Sequence, residues 1–416
     1  MSDDLYKDIE EAGPDAAAAF DIAALDRDFY ENPYPMFHAL RRHAPVHKMP
    51  SGAWFLTRHA DLYFAYHDPV LFSSDKTVDF KRTMGETSLY EHHTTSLVFN
   101  DPPGHTCVRK RLAPAFTPRS LRALESRVVE VVEASLDAVA EMGSFDLLHD
   151  YAMKLPIELI GDMLGVPRED RSKLSPWAVA ILGGLEADLT PDRRDEAAQA
   201  VDDFKDYLRW LIAEREKNPL SDDAGEVLSK LVGPDEDGDS LTELELLHNC
   251  IFLLNAGHET TANTVTNGID ALLRFPDQLA RLREEPALIV SAIEELLRFE
   301  SSVQLNNRKL TADAEIGGVA MKKDDYIWLC IGAANRDPQE FPDPDKMDIG
   351  RERNRHLAFG AGIHACAGMS LGRMEARIAL LGFVQRFARI EPSGAALHHP
   401  RARFRGFVDY PVTASN

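Results

Sequence analysis

Phe359-Gly360-Ala361-Gly362-Ile363-His364-Ala365-Cys366-Ala367-Gly368 is the stretch on which the reading of this chain turns. Three glycines around one cysteine let the backbone turn through positive φ and approach a flat ligand closely. The cysteine stands at the entry of a helix expected over about Ala367 to Arg386, where free N–H groups and the helix dipole stabilise a thiolate. N–H groups aimed at sulfur also tune the potential of a bound iron. A glycine-rich turn with a buried cysteine is the plainer reading. Half a zinc site, from His364 and Cys366, is another, but further Cys or His ligands at motif spacing are not visible. The ten-residue pattern is more specific than either.

The rest of the chain has the composition of a protein with a large core. It has 416 residues, 44% hydrophobic and 27% charged, close to globular norms. No run approaches the ~20 apolar residues of a membrane-spanning helix. Met1 to Glu11 is acidic and lacks the blocks of a signal peptide, so a cytoplasmic location is expected. With 68 acidic against 46 basic residues, the formal net charge is −22. That field repels nucleic acid and anionic membranes, and neither is expected as a partner. The four cysteines, Cys107, Cys250, Cys330 and Cys366, are far apart and read as reduced thiols.

Helical periodicity dominates, and small β portions lie at both ends. Residues 1–20 read as a flexible acidic and alanine-rich arm. Between Ala44 and His59 two β-prone pieces flank the turn Pro50-Ser51-Gly52. From about Pro118 to Asn218 apolar residues recur at helical spacing. A turn is expected at Asp235 to Gly238, and then a capping box, Ser240 with Glu243, opens a long helix through Leu273. A second helix spans Ala287 to Phe299, and short strands are expected at Glu315 to Val319 and Tyr326 to Ile331. The fold class is therefore mainly α with small β-sheets, in a single domain of residues 21–416.

Three further segments carry chemistry. Within the long helix lies Ala256-Gly257-His258-Glu259-Thr260-Thr261. A mid-helix glycine costs about 1 kcal/mol against alanine, and Thr260 can turn its hydroxyl to the Ala256 carbonyl, bending the helix and opening a groove. The alternative is a kinked core helix. Glu295 and Arg298 share a helix face, which taken alone describes a solvated pair worth a fraction of a kcal/mol. Asp101-Pro102-Pro103-Gly104-His105-Thr106-Cys107-Val108-Arg109 sets His105 and Arg109 one helical turn apart.

Together with the cysteine loop, these segments resemble the cytochrome P-450 family in its soluble bacterial form, from about Asp28 to the C-terminus. The resemblance implies a single-domain cytochrome P-450 fold around heme b (protoporphyrin IX iron), with Cys366 as the axial thiolate that holds the metal. Phe359 would then pack on the proximal face. His105, Arg109, Arg308 and His364 would reach the propionates, since these need cations or donors. Glu295, Arg298 and Arg351 would form a buried structural triad, supported by Ala334-Asn335-Arg336-Asp337-Pro338. Ala256 and Gly257 would leave room for O2, Glu259 would relay protons and Thr260 would order their delivery. His258 reads as a bystander. The pocket-lining positions are His93, Thr95, Val98, Asn255, Gln304 and Phe404. Two departures bear on the pocket: Ser302 stands where proline is common, and Asn255 where an apolar side chain is common.

The implied activity is a monooxygenase that inserts one atom of O2 into a small organic substrate, by hydroxylation or oxidative dealkylation. Electrons would come from NAD(P)H through a reductase and a ferredoxin, docking on Lys110, Arg111, Arg373 and Arg377. A peroxide-driven peroxygenase should lack the acid–alcohol pair, and Glu259-Thr260 is intact. A heme-binding sensor without turnover is the rival of another class.

Overall fold

The computed structural model describes residues 12–186, 189–218, 227–233, 238 and 240–415. Helices build most of it, with four small sheets set around them. The segment expected to be helical resolves into Pro118–Met142, Lys154–Leu164, Leu174–Gly183 and Pro191–Lys217. Thr117 caps the first of these through its hydroxyl and Pro118 opens it, where a missing N–H costs nothing. Each presents a buried apolar stripe to one core, the last through Val201, Phe204, Leu208 and Leu211, and that core also takes in both faces of the helix Glu243–Arg274.

That helix crosses the middle of the molecule. Its capping box is Thr242 with Glu245 rather than Ser240 with Glu243. Both pairs satisfy the S/T-x-x-E pattern, and the chain uses the later one. The turn expected at Asp235 lies, except for Gly238, outside the described residues. The second helix runs over Ile289–Phe299, after one tight turn at Pro286–Leu288.

The largest sheet has the order Val46–Lys48, Trp54–Leu56, Tyr326–Cys330, Leu305–Leu310 and Phe72–Ser73. The first two strands form the expected hairpin around Gly52, whose φ is 87°. Tyr326–Cys330 pairs parallel with Trp54–Leu56 and antiparallel with Leu305–Leu310, which puts Arg308 opposite Ile327. The region Glu315 to Val319 is a tight hairpin, Ala314–Ile316 with Val319–Met321, turned by Gly317 and Gly318.

The expected arm needs correction in its second half. A short helix, Pro14–Ala18, packs on the helix Tyr34–His43, and Ala17 and Phe20 are buried. The Phe20 ring lies 4.9 Å from that of Phe55. Alanine there is a small apolar contact and not a sign of looseness.

The final helix, Met369–Arg386, is tied to the long one by a buried bond from the Thr261 hydroxyl to Glu375, at 3.3 Å. Burial pushes the Glu375 carboxyl up to about 8, against that bond. A carboxyl whose folded value is raised gives stability at low pH that is lost as pH rises toward the folded value. The fold should therefore lose part of its stability between about pH 4.5 and 8 through this group. In urea melts Glu375→Gln should flatten that slope and match or exceed the parent protein at pH 8. A variant that is weaker at pH 8 by as much as at pH 5 would contradict this account.

Candidate active site

Two of the three glycines in the cysteine loop take positive φ, Gly360 at 64° and Gly362 at 66°. A Cβ at Gly362 would come within 1.9 Å of the Tyr66 carbonyl oxygen, so no side chain fits. The Cys366 N–H donates to the Phe359 carbonyl at 2.9 Å. Burial pushes the Cys366 thiol up, while the Gly368 N–H and the Arg109 and Arg373 guanidinium groups oppose that. The Phe359 ring lies beneath the Arg373 guanidinium, 4.5 Å from its centroid. Arg373 in turn forks Glu294 at 2.7 and 2.8 Å. Burial would raise Glu294, but bonds from His356 and Arg373 outweigh it and hold the carboxyl at about 2.

The loop is anchored from behind. Arg298 forks Glu295 at 2.7 and 2.8 Å, and neither side chain is exposed. Arg351 donates to the same carboxylate at 3.1 Å, as do Asn354 and the Asp348 N–H. The remaining Arg298 N–H groups reach the carbonyls of Asn335 and Pro344. The Asn335 side chain receives the Leu357 N–H at 2.7 Å, two residues before Phe359. Arg336 is sandwiched between the rings of Tyr34 and Phe299 at 3.5 and 3.7 Å. Helix Ile289–Phe299 thus fixes the loop through a chain of charge-assisted bonds.

A cationic cluster lies beside the loop. His105, on the helix Gly104–Leu112, and His364 have ring centroids 4.2 Å apart. Both nitrogens of His105 and Nε2 of His364 are buried without a partner. Burial, then Arg308, His105, Arg109 and Lys76, push His364 down to about 3. Arg308 is buried and bonds only the Asn306 side chain and the Asn307 carbonyl among the described residues. Arg109 has no carboxylate partner among the described residues. Lys76 joins the set: its ammonium is buried without a bond, over the Tyr326 ring at 5.0 Å. Burial and Arg308 bring it down to about 7. Cations and imidazoles gathered this way, with orphaned donors, fit a ligand that brings its own carboxylates. Sequence reasoning missed Lys76, because an isolated lysine ahead of a short helix reads as surface.

On the long helix, the Thr260 hydroxyl donates to the Ala256 carbonyl at 2.6 Å, and the Thr264 hydroxyl donates to the Thr260 carbonyl at 2.8 Å. Ala256 is exposed and Gly257 partly so, between the buried Asn255 and His258. A Cβ on Gly257 would lie 2.9 Å from Ile160. Glu259 is buried, with Oε1 accepting from Arg401 at 2.7 Å and Oε2 unbonded. Burial raises its carboxyl and Arg401 opposes that. His258 is fully buried, unpartnered and pushed down to about 4.

The proposed pocket positions divide. His93 is buried, its ring 5.6 and 5.5 Å from those of Phe80 and Phe99, and Asn255 lies nearby through His92. Thr95, Val98 and Phe404 are half-buried, the last bridged to Val303. Gln304 does not join them. Its amide donates to the Ser301 carbonyl at 2.7 Å, and its other end packs where a Cβ of Gly332 would sit, beside Phe37. The expected docking face also needs correction: Arg111 is buried and bonds the carbonyls of Leu231 and Gly233, while Glu294 holds Arg373 and Glu125 holds Arg377. Lys110, Arg119 and Arg122 are exposed. No helix among the described residues is long and apolar enough to cross a membrane.

A glycine-lined cysteine loop anchored by a buried helix, with unpaired cations beside it, has the donor set that a heme-thiolate group would need. The "Cytochrome P450" family model matches residues 185–408. Vitamin D(3) 25-hydroxylase of Pseudonocardia autotrophica is 39% identical over 360 residues, 85% of each chain. The crystal structure of P450BioI with a hexadec-9Z-enoic acid ligated acyl carrier protein superposes with a TM-score of 0.86 at 32% identity, covering 94% of this chain and 99% of that one. CYP109E1 of Bacillus megaterium, solved with testosterone, gives 0.84 at 30% identity, with coverage of 94% and 99%. The chain belongs to the cytochrome P450 family. It is a monooxygenase of that family, and a heme-thiolate cofactor is general to it.

Proposed function

We propose that the chain hydroxylates a small organic substrate, taking electrons from NAD(P)H through a reductase and an acidic ferredoxin, with heme b bound through Cys366. The balance is one C–H bond, O2, two electrons and two protons giving a C–OH bond and water. Bound heme supplies the binding and reduction of O2 and the transfer of one oxygen atom. Arg109, Arg308, His105, His364 and Lys76 would hold its propionates, and Phe359 and Arg373 would shield the sulfur. The exposed Arg119 and Arg122 give the ferredoxin a positive face despite the overall charge, and complementary charge mainly speeds such encounters.

The observation that carries this reading is the acid–alcohol pair on one buried helix: the Thr260 hydroxyl at 2.6 Å from the Ala256 carbonyl, next to the buried carboxyl of Glu259. Arg401 holds Oε1 of Glu259, and the unbonded Oε2 would take up a proton and pass it on. Thr260 receives protons in sequence and passes them into the groove, so that one oxygen atom leaves as water. A peroxygenase needs neither group.

Thr260→Ala tests it. NADH consumption should continue, hydrogen peroxide should rise, and product per NADH should fall by roughly tenfold or more, within the range of general acid catalysis. Coupling equal to that of the parent enzyme would remove Thr260 from the mechanism. Full turnover on peroxide alone by both proteins would favour the peroxygenase.

A further inference from the structure

Helix Ser88–Thr95 packs against the first half of helix Glu243–Arg274 and buries three imidazoles with an amide between them. The His92 ring lies 4.9 Å from that of His93 and 5.5 Å from that of His248. His92 Nε2 stands 3.5 Å from Asn255 Nδ2. Each of the four side chains is at most 4% exposed. Even so, Nδ1 of His92, Nε2 of His93, both nitrogens of His248 and Oδ1 of Asn255 have no hydrogen bond. An unpaired buried polar atom costs about 1–3 kcal/mol, so five in one cluster make poor core packing and a good receptor.

The charge around the cluster decides what it receives. Glu91 faces His248 at 3.6 Å and is held by Lys205 at 3.2 Å. Asp202 pairs with the same lysine, Arg209 is bonded to Asp206 and Glu243, and Arg403, its Nε unbonded, acts on His93. Burial, ahead of these charges, keeps His93 down at about 3 and His248 at about 4, and His92 well below its ordinary range. Neutral imidazoles and an amide each offer a donor and an acceptor. Arg403 keeps an unbonded Nε but acts on His93 alone of the four, so a carboxylate received between His92, His248 and Asn255 would meet neutral groups only, and a bare hydrocarbon would leave every one of these atoms unpaired.

We propose that His92, His93, His248 and Asn255 receive a neutral oxygen function of the substrate, a hydroxyl or a ketone, and so select oxygenated molecules over hydrocarbons and carboxylates. This rests on the monooxygenase reading. The test follows the change from low to high spin in the heme-loaded enzyme as matched probes are added. Testosterone is compared with androstane, and 1-dodecanol with dodecane and dodecanoate. In at least one set the neutral oxygenated member should bind about tenfold more tightly, the worth of one well-made buried bond. Asn255→Leu and His92→Phe should each erase that preference, with folding checked by an unchanged ferrous carbonyl spectrum. If His92→Phe fails to load heme, Asn255→Leu decides alone. Equal binding within the sets, preference for dodecanoate, no spin change with any probe, or a preference that survives Asn255→Leu overturns the proposal. A parent enzyme without the thiolate carbonyl band would instead overturn the monooxygenase reading.

Discussion

Replacing Cys366 by His should leave a protein whose ferrous carbonyl complex lacks the red-shifted Soret band of a thiolate-ligated heme, with substrate turnover reduced below detection. A thiolate pushes charge onto iron and favours O–O cleavage, whereas imidazole does neither to the same degree. The other cysteines cannot take over. Cys250 and Cys330 are buried with thiols pushed up to about 12, and Cys107 is exposed on the helix that carries His105 and Arg109. Cys366 sits in the glycine loop beside the orphaned cations, with a backbone N–H and two guanidinium groups opposing the cost of its burial, whereas Cys330 stays at about 12 despite backbone N–H groups and Arg41. The absorption spectrum of the reduced, carbonyl-treated variant is the measurement. Retention of the thiolate band would mean that the ligand is another residue.

The parts of this site that were legible in the sequence are those whose spacing is short. Gly360, Gly362 and Cys366 lie within seven residues, and the steric reason for Gly362, the carbonyl of Tyr66, shows only in three dimensions. His105 with Arg109 and Glu295 with Arg298 are single helical turns, so their common faces follow from helix geometry. What failed to read depends on distant partners or on a one-residue choice. Gln304 precedes the strand Leu305–Leu310, and at a strand edge one residue of register decides which face a side chain takes. Arg373 and Arg377 read as free charges because Glu294 and Glu125 are far away in the chain. His92 and His248 are 156 positions apart, and only the packing of their two helices makes them neighbours. The Ala-rich segment before Phe20 was opaque for another reason: alanine is as suited to a small buried contact as to a loose end.

Glu295→Gln should cost the fold far more than Glu294→Gln, although the two glutamates are adjacent and each binds arginine. Glu295 accepts from Arg298, Arg351, Asn354 and the Asp348 N–H, and its side chain is wholly buried with that of Arg298. Removing one partner of such a pair leaves a charge without solvent or counter-ion, at a cost of about 3–5 kcal/mol. The amide also replaces an acceptor oxygen by an NH2 that must face arginine donors. Glu294 is one quarter exposed and Arg373 about one third, so water takes over much of a lost contact there, and the loss should be about 0–1 kcal/mol. The difference should appear twice, in the denaturation midpoint and in the heme content of the purified protein. Asn335 passes any movement of Arg298 to Leu357 and hence to the loop that carries Cys366. Arg298→Lys should behave like Glu295→Gln despite keeping the charge, because one ammonium cannot span the Glu295 carboxylate and the carbonyls of Asn335 and Pro344 together. Equal midpoints and equal heme content for Glu294→Gln and Glu295→Gln would show that burial of the triad contributes nothing beyond a surface pair.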